Sequence, residues 1–488
     1  MTAAYNSYDI FQIPLSEPHF SDMINTDENI NTKGNENVTY KEARVYLDKV
    51  SKYGSVLGLG TIRKLLCELG NPQDDLKFIH IAGTNGKGSV LAYTSTILSK
   101  AGYRVGRYLS PTVVSYLERI QVDAQWIPED AFARLTALVQ KAIACMKAAG
   151  ETGPTVFEIE TAIAFLYFKE QGCDLVVLEC GLGGAEDATN IIKNTLIAVF
   201  TSISRDHLGI LGNSLAEIAA KKSGIIKPGC RVVSSVQLPE VTEVLTQQAE
   251  IHGCPYVTAD ESQVKLHSES YEGQLLSYKE ITNACCPLAG RHQIGNAATA
   301  LETVFTLRTM GYHISNAAIC QGLKETAWPG RFTCLGADPL FFIDGAHNED
   351  AAKRLRETLE TYFPGKYFIY IMGVFKDKEY EEIAKIMAPL AKSVHTVALS
   401  DTGRTLLAAE LADVMRRHCQ ENVPVHAEET IQTAVANALM DARPDDIVLA
   451  FGSLSYLGQV MADFKRTSAC GSPANTKQAS DIKKEIKL

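Results

Sequence analysis

Hydrophobic and polar positions along this chain change period repeatedly. Short, mostly apolar runs at Phe78–Ile81, Leu175–Leu178, Leu196–Thr201 and Arg231–Ser234 read as buried strands. Apolar residues at helical spacing fill Ala131–Ala148, Glu158–Lys169 and Ser214–Lys221. Strand and helix in alternation predict a mostly parallel sheet covered on both faces. A second series begins near Phe341. Its strands fit Phe341–Ile343, Tyr367–Met372, Ser393–Ala398 and Asp446–Phe451, and its helices fit Asp350–Tyr362, Glu379–Leu390 and Ile431–Met440. Trp328-Pro329-Gly330 falls between the two series and reads as a break. The pattern therefore predicts two α/β domains, the second smaller, with a seam near 328 and no internal repeat.

The ends lie outside this pattern. Residues 1–38 are polar and Asn-rich (Asn25, Asn29, Asn31, Asn35, Asn37), and residues 466–488 are rich in Ser, Lys and Ala. Both are expected to be peripheral and poorly ordered. At 488 residues the chain is too long for one ordinary domain. No apolar run approaches the roughly 18–20 residues that span a bilayer. The N-terminus also lacks the basic start and apolar core of a signal peptide. The twelve cysteines are scattered without a CxxC pair, so reduced thiols in a cytoplasmic protein are the simple expectation. A net charge of −10 argues against general nucleic-acid binding. It leaves open a nucleotide, whose phosphates need only local positive groups.

Such groups follow the first strand. Residues 78–90 read Phe-Ile-His-Ile-Ala-Gly-Thr-Asn-Gly-Lys-Gly-Ser-Val, a strand feeding a glycine-rich turn and then a helix-compatible stretch. Gly83, Gly86 and Gly88 let the backbone turn its N–H groups inward, Lys87 adds a point charge, and the helix offers its positive end. The spacing differs from the common phosphate loop of Gly, four residues, then Gly-Lys-Ser/Thr. Ile81 stands where the first glycine would be, Gly88 where the hydroxyl would be, and Ser89 follows one place later. After the strand Leu175–Leu178 comes Glu179, then a glycine loop and Asp187-Ala188-Thr189-Asn190. An acid at a strand's carboxyl end beside a phosphate loop suits Mg2+, which takes hard oxygen ligands. A third strand runs into Ser204-Arg205-Asp206-His207, so His207 also stands where ligands converge.

Taken in order, Gly-Thr-Asn-Gly-Lys-Gly-Ser, Glu-x-Gly-Leu-Gly-Gly-x-x-Asp-Ala-Thr-Asn, Thr-Ser-Ile-x-x-Asp-His, Lys-x-Gly-Ile-Ile-Lys-Pro-Gly, Pro-Gly-Arg-Phe and Asp-Gly-Ala-His-Asn resemble the folylpolyglutamate synthase/dihydrofolate synthase family of the Mur ligase superfamily. The likeness runs from about Tyr40 to Val460. It implies an N-terminal phosphate-loop ATPase domain (39–327) and a smaller Rossmann-like glutamate-ligase domain (328–465). It also implies ATP-dependent joining of L-glutamate to a pteroate or folate carboxylate through an acyl phosphate. The resemblance further implies two Mg2+ sites, small-molecule substrates, no membrane or nucleic-acid partner, and a monomer.

Carried over residue by residue, Gly83, Thr84, Asn85, Gly86, Lys87, Gly88 and Ser89 would hold ATP phosphates, with Asn296, Arg331 and Asp344 as further ATP contacts. Ser110 and Glu179 would ligate one Mg2+, and His207 a second. Lys222 resembles the family's carbamylated lysine, an anionic oxygen ligand made from a cation. Lys87, Glu179, His207 and Lys222 thus form the implied catalytic set. Thr155, Phe157, Glu158, Glu186, Asp187 and Ala188 resemble the pterin-contacting segments, and His347 and Ser453 the glutamate site. Three places depart from the family: Gly60-Thr61 replaces Glu-Arg, Thr112 replaces a histidine, and Ala185 replaces an arginine. They leave open a ligase acting on a non-folate acid, and the sequence also leaves open a silent nucleotide-binding protein.

Overall fold

The computed structural model describes residues 38–51, 58–205, 211–400 and 403–470. Most of the N-terminal extension, the tail from 471 on, and Asp206 and His207 lie outside the described residues. From Thr39 onward the chain forms one compact unit.

Eight strands build the first sheet: β1 (Phe78–Ala82), β2 (Val105–Tyr108), β3 (Ile120–Val122), β4 (Gln125–Trp126), β5 (Leu175–Glu179), β6 (Thr195–Phe200), β7 (Arg231–Ser234) and β8 (Tyr256–Thr258). Their order is β4-β3-β2-β5-β1-β6-β7-β8. From β2 to β8 the pairings are parallel, and β3 and β4 add an antiparallel edge. Every residue of β1 and β5 is buried. A strand covered on both faces has no polar side to show, which is why both read as continuous apolar runs. Ile81 pairs with Glu179 and Ala82 with Phe200, so the carboxyl ends of β5, β1 and β6 lie side by side.

A three-stranded antiparallel sheet follows: β9 (Val264–Ser270), β10 (Gly273–Tyr278) and β11 (Ile281–Cys286), in the order β11-β10-β9. The apolar-run reading passes over it because only one face is covered. Leu276, Tyr278, Ile281, Ala284 and Cys286 enter the core beside helix His292–Thr309, while most of β9 is exposed.

The last sheet holds β12 (Thr333–Ala337), β13 (Leu340–Ile343), β14 (Phe368–Met372), β15 (Ala391–Thr396), β16 (Val425–Ala427) and β17 (Ile447–Phe451). Its order is β12-β13-β17-β14-β15-β16, with only β12 antiparallel. The expected strands of both series are thus found, shifted at most by two residues at an end. Chain termini of helices move for local reasons. Ser214 is not in its helix but caps Leu215–Ser223, its hydroxyl accepting the Glu217 N–H. The expected helix Glu379–Leu390 is shorter, Tyr380–Met387, because Pro389 tightens the end into a 3-10 turn. The closing helix, Leu457–Cys470, crosses residue 466.

Helix Lys87–Lys100 has ten of its 14 residues buried, so no amphipathic stripe marks its length. It packs against helices His292–Thr309 and Asn316–Lys324. Among the described residues, no helix is long and apolar enough to cross a membrane, and the described cysteines are free thiols.

Candidate active site

β1 ends at Ala82, residues 83–86 turn, and the buried helix starts at Lys87. Gly86 has φ +92, and a Cβ there would meet Asn296 Oδ1 at 2.4 Å. Side-chain bulk is therefore excluded by both conformation and space. At Gly88 a Cβ would meet Trp328 Nε1 at 2.7 Å. The indole of the inter-series Trp-Pro-Gly occupies the place where the common pattern projects a hydroxyl, which explains the glycine. Ser89 Oγ is fully buried without a hydrogen-bond partner. The turn is tied to the segment after β6: Thr84 N and Asn85 N donate to the Ser202 carbonyl at 2.8 and 3.2 Å. Thr84 Oγ1 donates to the Ser204 carbonyl (3.0 Å) and accepts the Ser204 N–H (3.1 Å).

Two lysines converge on one carbonyl. Lys87 Nζ donates to Gly83 O and Thr84 O, each at 3.2 Å, and Lys222 Nζ donates to Gly83 O at 2.8 Å. Lys222 is only 5 % exposed. Glu179 Oε1 lies 4.0 Å from Lys87 Nζ. Burial pushes the Glu179 carboxyl up to about 7, against the pull of Lys87, Arg331 and the Ser110 N–H. Ser110, Glu179, Lys87, Lys222 and Arg331 are thus brought together from β2, β5, β1, the end of helix Leu215–Ser223 and the second series. No three His, Cys, Asp or Glu side chains form a metal cage among the described residues. One buried carboxylate with no cation closer than 4.0 Å among the described residues nevertheless fits Mg2+, which keeps waters and phosphate oxygens as its other ligands.

The residues matched to the pterin segments divide into two kinds. Phe157 is half-buried, its ring touching Gly181 and tilted against Tyr108 at 5.9 Å, so it faces the glycine loop. Thr155 and Glu158 instead form a capping box on helix Val156–Glu170: Glu158 Oε2 accepts from Thr155 N at 2.7 Å, and Thr155 Oγ1 accepts from Glu158 N. Asp187 is also committed to structure. Its carboxylate accepts from Leu182 N (2.7 Å), Thr189 N (3.0 Å) and Thr189 Oγ1 (2.5 Å). Thr189 Oγ1 in turn meets His80 Nε2 at 2.9 Å, and burial, reinforced by Lys227, pushes that histidine down to about 3 and keeps it neutral. Ala188 is buried in the turn that Asp187 caps. Glu186 is exposed and pairs with Lys221.

On the other side, Asn296 stands over Gly86 and donates to Gln293 Oε1 at 2.9 Å. Asp344 follows β13, accepting the Phe332 and Ala346 N–H groups at 2.8 Å each. Burial raises its pKa and Arg331 opposes the shift. His347 Nδ1 is 2.7 Å from the Gly345 carbonyl. Ser453 follows β17 and caps the short turn 454–456, its hydroxyl 2.9 Å from Ser455 Oγ. Sequence reasoning missed a bridge between the two series. Asn85 Nδ2 donates to Asp350 Oδ2 (2.9 Å) and Asn348 Oδ1 (3.3 Å), and Asn348 Nδ2 returns a bond to Asn85 Oδ1 (3.1 Å). The available signal was Asn348 as N-cap before Glu349-Asp350, which anchors these side chains.

Residues 81–304 match the Mur ligase middle domain and residues 330–454 the Mur ligase glutamate ligase domain. The chain is 36% identical over 441 residues to the dihydrofolate synthase/folylpolyglutamate synthase of Bacillus subtilis, covering 87% of this chain and 99% of that protein. It belongs to the folylpolyglutamate synthase/dihydrofolate synthase family. The Lacticaseibacillus casei folylpolyglutamate synthase is 31% identical over 435 residues, covering 87% of this chain and 98% of its own. Among solved structures, the Mycobacterium tuberculosis folylpolyglutamate synthase complexed with ADP and AMPPCP superimposes with a TM-score of 0.78 at 29% identity, covering 89% of this chain and 99% of that one. Escherichia coli FolC in complex with DHPP and ADP gives 0.75 at 28%, covering 88% and 98%. The two-sheet α/β architecture is that of these family members. The readings as a non-folate ligase or a silent nucleotide-binding protein gain no support from them.

Proposed function

We propose that this protein is an ATP-dependent acid–amino-acid ligase that joins L-glutamate to the carboxylate of a dihydropteroate or folate acceptor. The observation that carries this reading is the convergence of Lys87, Lys222 and Glu179 at the carboxyl ends of adjacent strands, on the turn that Asn85 links to the second series. The described chain divides functionally into an ATPase domain (39–327) and a glutamate-ligase domain (328–465).

The reaction needs little covalent chemistry from the protein. The acceptor carboxylate attacks the γ-phosphate of ATP, giving an acyl phosphate and ADP. The glutamate amine then attacks the acyl carbon and expels phosphate. Both steps demand two anions held in line, so binding and charge neutralisation supply the rate. In this reading the turn 83–89 binds the phosphates, with Lys87 leaving its carbonyl partners to reach them. Asn296, Arg331 and Asp344 complete the ATP site. Glu179 and Ser110 hold one Mg2+; His207 and Lys222, if carbamylated, hold a second. When bound, these ions neutralise charge on the phosphate oxygens. Phe157 offers an aromatic face to the pterin. Thr155, Glu158, Asp187 and Ala188 act by shaping that pocket, and Glu186 lies at its rim. His347 and Ser453 border the glutamate site.

The test is product mass. With Mg-ATP, L-glutamate and either dihydropteroate or tetrahydrofolate, the acceptor is expected to gain one glutamyl residue. Absence of a glutamylated product from both acceptors would overturn the proposal.

The bridge to the second series adds a prediction. Asp350→Ala is expected to lower kcat/KM about tenfold, the size expected for one hydrogen bond to a charged group, with the melting temperature nearly unchanged. Unaltered kcat/KM would mean the bridge is incidental to catalysis.

A further inference from the structure

Far from the phosphate turn, at the opposite end of helix Lys87–Lys100, a cavity of about 580 Å3 opens between that helix and β2. Its lining includes Thr96, Ser99, Lys100, Arg104, Arg107 and Asp123. The helix rises about 1.5 Å per residue, which puts this cavity roughly 15–20 Å from Lys87.

Arg107 sets the chemistry. It sits on β2, between Gln121 of β3 and Val177 of β5, and is 4 % exposed. Its Nη2 donates to Thr96 Oγ1 at 2.7 Å, and its Nε is buried without any partner. Among the described residues, no carboxylate lies within ion-pair distance of it.

The charged neighbours do not fill the gap. Asp123 is near enough to favour the guanidinium's charge, yet Asp123 Oδ1 already accepts from Ser99 Oγ (2.9 Å) and Val105 N (3.0 Å). Glu325 is paired with Lys100, and Arg104 Nη2 is spent on Gln171 Oε1. A buried guanidinium without an acid is costly unless an anion completes it. Its planar fork suits the two oxygens of a carboxylate or phosphate.

We propose that this cavity is a binding site for a small oxyanion, a carboxylate- or phosphate-bearing molecule, held by the Arg107 guanidinium at the floor and, at the mouth, by the N–H donors of Lys100 and Arg104 beyond those given to Glu325 and Gln171. The site is separate from the ligase centre and does not rest on the ligase reading.

The test uses the full-length protein with Mg-ADP at saturation, so that the phosphate turn is filled. Calorimetric titration with inorganic phosphate and, separately, succinate is expected to show saturable one-site binding, at least tenfold weaker in Arg107→Met. The tighter of the two anions identifies the source chemistry. Selenate soaked into crystals of the same complex is expected to give an anomalous peak within hydrogen-bond reach of the Arg107 guanidinium. That measurement decides alone if the variant does not fold. No selenate at Arg107, or equal binding by the variant, would overturn the proposal.

Discussion

Glu179→Gln is expected to reduce ligation on the order of 100-fold while raising the stability of the free protein above pH 7. The two effects have one cause. Glu179 is 6 % exposed, and burial lifts its carboxyl from an ordinary 4.5 to about 7. The folded chain therefore holds that proton more tightly than the unfolded chain. Below about pH 4.5 both states are protonated and no penalty exists. As pH rises from 4.5 to 7 the unfolded chain loses the proton first, so this group's contribution to stability falls. Above 7 the penalty is complete, at most about 3 kcal/mol from a shift of this size. Glutamine removes the charge and with it the penalty, but it cannot serve as an anionic ligand. At about 1 °C per kcal/mol for a unit of this size, melting in metal- and nucleotide-free buffer is expected to rise by up to about 3 °C at pH 8 and hardly at pH 5. A lower melting temperature at pH 8 would mean that the attraction of Lys87 and Arg331 outweighs burial. Near-normal turnover would remove Glu179 from the metal assignment.

Lys222→Ala is the second large effect, again on the order of 100-fold in kcat. Two roles are possible for a lysine buried under the phosphate turn, and the rescue agent separates them. As an ammonium, Lys222 would hold the Gly83 carbonyl, to which it donates at 2.8 Å, and a small amine would restore activity to the variant. As a carbamate it would add an anionic oxygen toward the metal, and a short-chain carboxylic acid would restore it instead. About tenfold recovery with acetate or propionate, and none with methylamine, is the expected result. Recovery with methylamine alone would assign Lys222 to the phosphate turn and remove it from the metal site.

Much of this site could be read from the chain because its parts lie at strand ends. A strand covered on both faces is a continuous apolar run, so β1, β5 and β6 announce their own ends, and the polar residues next in sequence must converge. That logic placed Lys87 and Glu179 together; Lys222 closes a helix, Leu215–Ser223, and only the family resemblance pointed to it. Reading from strand ends fails where a residue's partner is remote in sequence. Nothing near Gly88 shows that Trp328 fills the space above it, and nothing near Asn85 shows that Asn348 and Asp350 meet it. Glu158 carried a signal that was available: Thr155 three residues before it is a capping box, and the carboxylate closes the helix start. Asp187 likewise is saturated by loop N–H groups, so its position in a ligand-associated motif reflects a loop it must shape. The sheet β9–β11 was hidden by its one-sided burial, with polar positions interrupting each short apolar alternation.

Ala185, one of the three places where the sequence departs from the pattern of the family it resembles, has a fixed setting in the structure. Ala185 N donates to the Lys221 carbonyl at 2.9 Å, and Ala185 packs against Gly224, so the loop is fixed on the helix that carries Lys222.

The most direct measurement is phosphate release from Mg-ATP in four parallel reactions: complete with dihydropteroate and L-glutamate, without glutamate, without the pterin, and without both. Phosphate release at a steady rate only in the complete reaction, matched one for one by glutamylated product, is the predicted result. Release that is indifferent to the pterin would contradict a folate acceptor, and release that is indifferent to glutamate would contradict a ligase.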